Sequence, residues 1–197
     1  MGMPWYPPGH VFGVMTQEMT HALVPHVRGR VVWDLGAGFL THTRDLVSRY
    51  GAASVVAVDK EEMPEPTSPK VSLVRSYFHD LVLPEGGIEV AFLAFPQNTP
   101  LYGLVDILEQ SQKVVYFGSN TDGTSCGDKD LFQHLRTREV LSHVPNLRGS
   151  LVVYGDEHPG WRRGLVPEEW AALHPEKMWS FEEACEAVSS RPDLGPY

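Results

Sequence analysis

The run Val31-Val32-Trp33-Asp34-Leu35-Gly36-Ala37-Gly38-Phe39-Leu40-Thr41 constrains this chain more than any other stretch. It reads as a buried strand over residues 31–35 that delivers one acidic side chain and two spaced glycines into a helix start. Glycines are needed there because a ligand must approach the backbone closely and the turn calls for positive φ. Nineteen residues after Leu40, Asp59 closes a second β-branched run over 54–59. The helix expected between them, 40–50, stops at Gly51. The whole is a βαβ unit, in which Asp34 and Asp59 both end strands and a carboxylate at Asp59 is placed to accept hydrogen bonds from vicinal hydroxyls.

The same alternation continues along the chain. Further strands are expected at 71–75, 88–95, 113–118 and 150–154, with helices at 101–110 and 128–143 between them. Upstream, an apolar-periodic stretch from Val11 predicts a helix to Leu23, stopped by Pro25. The segment Met63-Pro64-Glu65-Pro66-Thr67-Ser68-Pro69 cannot hold a helix and predicts a loop or a single turn after the second strand. Beyond residue 160 the pattern reads as helical around a short edge strand near 177–180. Strand and helix in alternation specify an α/β fold: a Rossmann-like open, mostly parallel sheet with helices on both faces. Ligands of such sheets lie outside the carboxyl ends of the strands, so the loops after Asp34, Asp59, Arg75, Phe95 and Gly118 form one rim.

Charge and cysteine usage narrow the function classes. Sixteen Lys and Arg against 25 Asp and Glu give a formal charge of −9, which disfavours nucleic acid as a partner. Cys126 and Cys185 are too few for a disulfide framework and lack CxxC spacing, as suits a reducing compartment, so a cytoplasmic location is expected. No apolar run approaches a membrane span, and Met1 to Tyr6 shows neither a basic nor an apolar leader region. The nine histidines are scattered, the nearest pair being His21 and His26 across Pro25, so no metal is expected.

The order Asp34-x-Gly36-x-Gly38 at the end of the first strand, with Asp59 ending the second, resembles the cofactor signature of class I S-adenosylmethionine-dependent methyltransferases. The resemblance implies that Asp34 orients the amino-acid end of S-adenosylmethionine, that Gly36, Ala37 and Gly38 line it, and that Asp59, with Lys60 beside it, holds the ribose. Two positions depart from the pattern. Leu40 stands where many members have a third glycine, and Ser76-Tyr77-Phe78 replaces the Gly-Asp-Ala that often follows the third strand. Tyr77 or Phe78 then supplies a ring face and a backbone N–H for adenine; alternatively Asp80 reaches it. A single domain over 1–197 is implied, with an N-terminal helical lid (1–30), a cofactor-binding core (31–155) and a C-terminal segment (156–197).

In the same resemblance the end of the fourth strand, at Phe95, faces the transferred methyl. Phe95-Pro96-Gln97-Asn98 departs from the Asp/Asn-Pro-Pro-Tyr/Phe of amino methylases, so methylation of base amino groups is not expected. Asn98, and Asn120 and Asp122 in the polar loop after the fifth strand, are candidates for holding the acceptor, although each also reads as an ordinary turn residue. Tyr6 and His10 are candidates for closing over the site, and His158, Trp161, Arg162 and Arg163 form a basic and aromatic cluster suited to an anion. Cys126 is a bystander. The small remainder of the chain favours a small-molecule acceptor or a short protein segment. Two rivals remain: an NAD-binding oxidoreductase, against which stand Thr41 in place of the third glycine and an acidic Asp34 near a pyrophosphate, and a methyltransferase-like protein that binds without transferring.

Overall fold

The structure is a computed structural model that describes residues 15–94, 96, 103–118, 135, 138–144 and 150–157. Its elements are α1 (Gln17–Val27), β1 (Val31–Leu35), α2 (Thr41–Ser48), β2 (Ser54–Asp59), β3 (Val71–Arg75), a 3-10 turn (Phe78–Asp80), β4 (Ile88–Ala94), α3 (Val105–Glu109), β5 (Ser111–Gly118), β6 (Arg138–Val144) and β7 (Ser150–Glu157). The seven strands form one sheet in the order β3-β2-β1-β4-β5-β7-β6. From β3 to β5 every neighbouring pair is parallel, and β7 runs antiparallel to both β5 and β6. The chain reverses its winding direction between β1 and β4, and a ligand crevice opens at such a reversal, outside the carboxyl ends of the strands.

Side chains alternate across the sheet, and each face has its own core. On one face Val32, Val55, Val90, Phe92, Val115 and Phe117 pack against Met19, Leu23 and Val27 of α1 and Leu46 of α2. On the other, Trp33, Leu35, Val58, Leu93, Val114 and Tyr116 meet Leu104, Ile107 and Leu108 around α3. β1, β2 and β3 take the expected bounds because their β-branched runs leave no competing helical period.

β5, β7 and α3 shift their ends by a few residues, and three further elements differ from expectation in ways that bear on the fold. α1 runs through Pro25 to Val27. The proline removes one donor, but Pro25 and His21, the residue whose carbonyl loses it, are both exposed, where water substitutes for the bond. Its start is set by Thr16, whose side chain accepts the Met19 N–H at 3.2 Å. The second difference is larger: residues 138–143, expected as the end of a helix, are strand β6. Arg138 is buried, donates through Nη1 to the Gly155 carbonyl of β7 at 2.7 Å, and through Nη2 to the Leu108 carbonyl in the last turn of α3. A buried cation at a strand position broke the alternation from which β6 would have been read. The third concerns α2, which is shorter than the expected 40–50 and spans Thr41–Ser48.

The proline-rich segment holds no helix, as its composition requires. A cleft of about 420 Å³ lies between it and α2, lined by Leu40, Thr43, Val47, Pro66 and Val71 among others. No helix among the described residues is long and apolar enough to cross a membrane.

Candidate functional site

β1 carries Asp34 into the interior, where only 1% of its surface is exposed. A carboxylate taken out of water needs a partner, and Thr43 Oγ1 of α2 donates to Asp34 Oδ2 at 2.5 Å. Burial still pushes the Asp34 carboxyl up to about 6; the Thr43 hydrogen bond opposes this and the nearby charge of Asp59 adds to it. Asp34 is thus an anion at neutral pH that takes up a proton easily, and any cationic group set against it relieves its buried charge.

After Leu35 the chain turns back over the end of β2, with the N–H groups of Gly36 and Ala37 both donating to the Val58 carbonyl, at 2.8 and 3.0 Å. Gly36 has φ +85° and Gly38 φ +51°, and a Cβ built on either meets no atom within 4 Å. The protein leaves the space above this turn empty, which is what close approach by a ligand requires. Leu40 is also left-handed, with φ +62°, and is buried with Ala37 and Ala57 beneath Met63 and Val71. The packing of its side chain holds it in a conformation that costs a non-glycine residue about 1–2 kcal/mol.

Asp59 closes the turn from the β2 side. Its Oδ2 accepts the Gly38 N–H at 2.9 Å and its Oδ1 the Glu61 N–H at 3.0 Å. A carboxylate has about four acceptor positions, so half-exposed Asp59 keeps capacity for two hydroxyls. The next strand is tied to the same point by the Ser76 N–H, which donates to the Asp59 carbonyl at 3.0 Å.

The remaining candidates divide. Tyr77 is 58% exposed and stacks on His79 with ring centroids 5.4 Å apart, so an aromatic surface stands beyond the end of β3. Phe78 is instead half-buried and packs against the core cluster around α3. Asp80 sits 3.5 Å from His79. Lys60 is exposed, its ammonium 3.8 Å from Glu61, while its carbonyl accepts from Arg75 Nε at 3.3 Å. Phe95, Asn98, Asn120 and Asp122, and with them Tyr6, His10, Cys126, His158, Trp161, Arg162 and Arg163, lie outside the described residues.

Two residues absent from the sequence reading belong to this site. Thr43 is a hydroxyl at a fully buried helix position, nine residues after Asp34. That burial was the available signal, since α2 turns its Thr43 and Leu46 face to the sheet. His42, next to it, contacts Phe92 and Phe117. Its neighbours are remote in sequence, and nothing local marks it.

No protein-family model matches the sequence, and no curated protein matches it. Solved structures do share the architecture. A SAM-dependent methyltransferase from Aquifex aeolicus matches with TM-score 0.52 at 15% identity, over 70% of this chain and 87% of that one. The ribosomal protein L11 methylase of Lactobacillus delbrueckii subsp. bulgaricus matches with TM-score 0.54 at 15% identity, over 77% and 83%. The 1,6-didemethyltoxoflavin-N1-methyltransferase of Burkholderia thailandensis, solved with its namesake substrate and S-adenosylhomocysteine, gives TM-score 0.54 at 17% identity, over 72% and 78%. The strand order, the reversal between β1 and β4 and these likenesses together establish that the chain has the Rossmann-like fold of class I methyltransferases.

Proposed function

We propose that this protein is an S-adenosylmethionine-dependent methyltransferase that transfers the methyl group directly, in line, to a small-molecule acceptor. The observation that carries the reading is the pairing of an open Asp34-x-Gly36-x-Gly38 turn with Asp59 across the end of the neighbouring strand. Asp34, Gly36, Ala37, Gly38 and Asp59 are the cofactor residues of this reading, with Lys60 at its rim and Tyr77 as the ring beside adenine. Phe78, half-buried against the core, offers its backbone N–H to the base.

Each residue has a physical task in that reading. Asp34 sets a buried negative charge against the ammonium of the methionine moiety, and Thr43 fixes the carboxylate that does so. Gly36 and Gly38 let the thioether chain lie against bare backbone. Asp59 accepts from both ribose hydroxyls. The cofactor supplies an already activated methyl, so the protein has only to align a nucleophile and exclude water, and no covalent intermediate is required.

Phe95, at the methyl end of the cofactor, joins the cofactor residues, and Asn98, Asn120 and Asp122 complete the proposal as lining of the acceptor side. For a small-molecule acceptor, the Burkholderia thailandensis structure with bound 1,6-didemethyltoxoflavin is a precedent in the same fold. A cytoplasmic, single-domain protein is part of the proposal. Against a dinucleotide ligand stands the burial of Asp34, whose charge sits where a pyrophosphate would have to approach.

The test is transfer of label from methyl-tritiated S-adenosylmethionine into a cell extract split into small-molecule and protein pools. Label in the small-molecule pool is the expected result. Label in protein alone overturns the acceptor class, and binding without label in either pool overturns the enzyme.

A further inference from the structure

His42 stands one residue before the threonine that anchors Asp34. Its ring lies 5.7 Å from Phe92 of β4 at an interplanar angle of 50°, and 5.5 Å from Phe117 of β5, edge on at 89°. Phe117 is the register partner of Ala94, the last residue of β4. The imidazole is therefore one side chain away from the strand end that the proposed function sets opposite the transferable methyl, displaced from Asp34 toward β5. His42 is half-buried, and neither ring nitrogen has a hydrogen-bond partner among the described residues.

We propose, resting on that reading, that His42 forms the wall of the cofactor pocket beside the sulfonium and that only its neutral form admits a sulfonium there. A neutral ring grouped with two phenylalanines attracts a cation through its π face, whereas an imidazolium repels it across a poorly solvated gap. The same imidazolium has no such quarrel with the uncharged thioether of S-adenosylhomocysteine. His42 is thus a specificity-determining residue: it sets how strongly the site prefers charged cofactor over spent product, and makes that preference fall as pH falls.

The neighbourhood favours the neutral form near pH 7. Burial pushes the imidazole below the usual histidine range, while Asp45, on the same helix, works the other way. Phe92 and Phe117, from the strands, carry no charge. Arg44 on α2 is exposed, and α1, which packs on the same face, offers Glu18 and His21, both exposed. Asp34, whose carboxyl lies at about 6, also attracts the sulfonium and loses that attraction on protonation, so the part of the pH dependence that belongs to His42 is the part its replacement removes. Between pH 5 and 7 both ligands carry a protonated amino group.

Calorimetric titration of the full chain with S-adenosylmethionine and with S-adenosylhomocysteine, at steps from pH 7 to pH 5, reads the ratio of the two dissociation constants. The wild-type preference for the sulfonium is expected to drop at least about threefold over that range. In H42Q, and in H42F, which keeps an aromatic ring between Phe92 and Phe117, the drop is expected to be at least about twofold smaller than in wild type, the remainder being that of Asp34. A constant wild-type ratio with both ligands bound overturns the inference and leaves the cofactor reading standing. A pH dependence undiminished in the folded variants does the same. Failure of either ligand to bind wild-type protein at pH 7 removes the reading itself.

Discussion

Asp59 Oδ2 accepts the Gly38 N–H at 2.9 Å, joining the turn after β1 to the end of β2 across 21 residues of sequence. The same carboxylate holds the Glu61 N–H, so one side chain fixes both loops that border the proposed ribose position. Asp59→Ala removes these contacts together with the acceptors for two hydroxyls. Affinity for S-adenosylhomocysteine is expected to fall by about 1.5–3 kcal/mol, the range for hydrogen bonds to a charged group. Unchanged affinity in a folded variant would place the ribose elsewhere.

The stability of the protein should report the burial of Asp34. Its carboxyl lies at about 6 in the folded chain against an ordinary value of 3.8, so the native state binds more protons than the unfolded state between those values. Stability from this group is fully present below pH 3.8 and is lost as pH rises through about 6. At pH 7.5 the loss is on the order of 3 kcal/mol. Asp34→Asn removes the charge, and its urea midpoint should exceed that of wild type at pH 7.5 while the two converge near pH 4. A variant equally or less stable at both pH values contradicts the sign.

Leu40 allows a test of backbone strain. Both Leu40→Ala and Leu40→Gly lose the buried side chain and should destabilise the fold, but only the glycine relieves a φ of +62°. Leu40→Gly should therefore be the more stable of the two by about 1 kcal/mol in chemical denaturation. The opposite order would mean that the turn relaxes once the side chain is gone.

Gly36→Ala separates binding from folding. The added methyl meets no protein atom within 4 Å, so the folding penalty is limited to strain at φ +85°, about 1–2 kcal/mol. In the proposed function the same methyl occupies space that the cofactor takes. S-adenosylhomocysteine affinity is expected to fall more than about tenfold in a variant that still unfolds cooperatively, and a parallel loss of both would deny the turn its ligand role.

Much of this was legible because the decisive residues are local. The strands around Asp34 and Asp59 are continuous apolar runs buried on both faces, and the glycines between them announce a turn with positive φ. Pro64, Pro66 and Pro69 likewise excluded a helix before β3. What was missed depends on partners distant in sequence. The β6 residues show no strand alternation because Arg138, a buried cation satisfied by the carbonyls of Leu108 and Gly155, occupies a core position of the strand. His42 takes its significance from Phe92 and Phe117, which reach it only once β4 and β5 lie side by side. Tyr77 and Phe78 were interchangeable on paper, and packing beside α3 turned only Phe78 inward.

Titration of the purified protein with S-adenosylmethionine, S-adenosylhomocysteine and NAD in parallel calorimetric runs tests the central claim most directly. The account predicts saturable binding of the first two, weakened by Asp59→Ala, and none of NAD. Binding of NAD alone, or of no ligand, would contradict it.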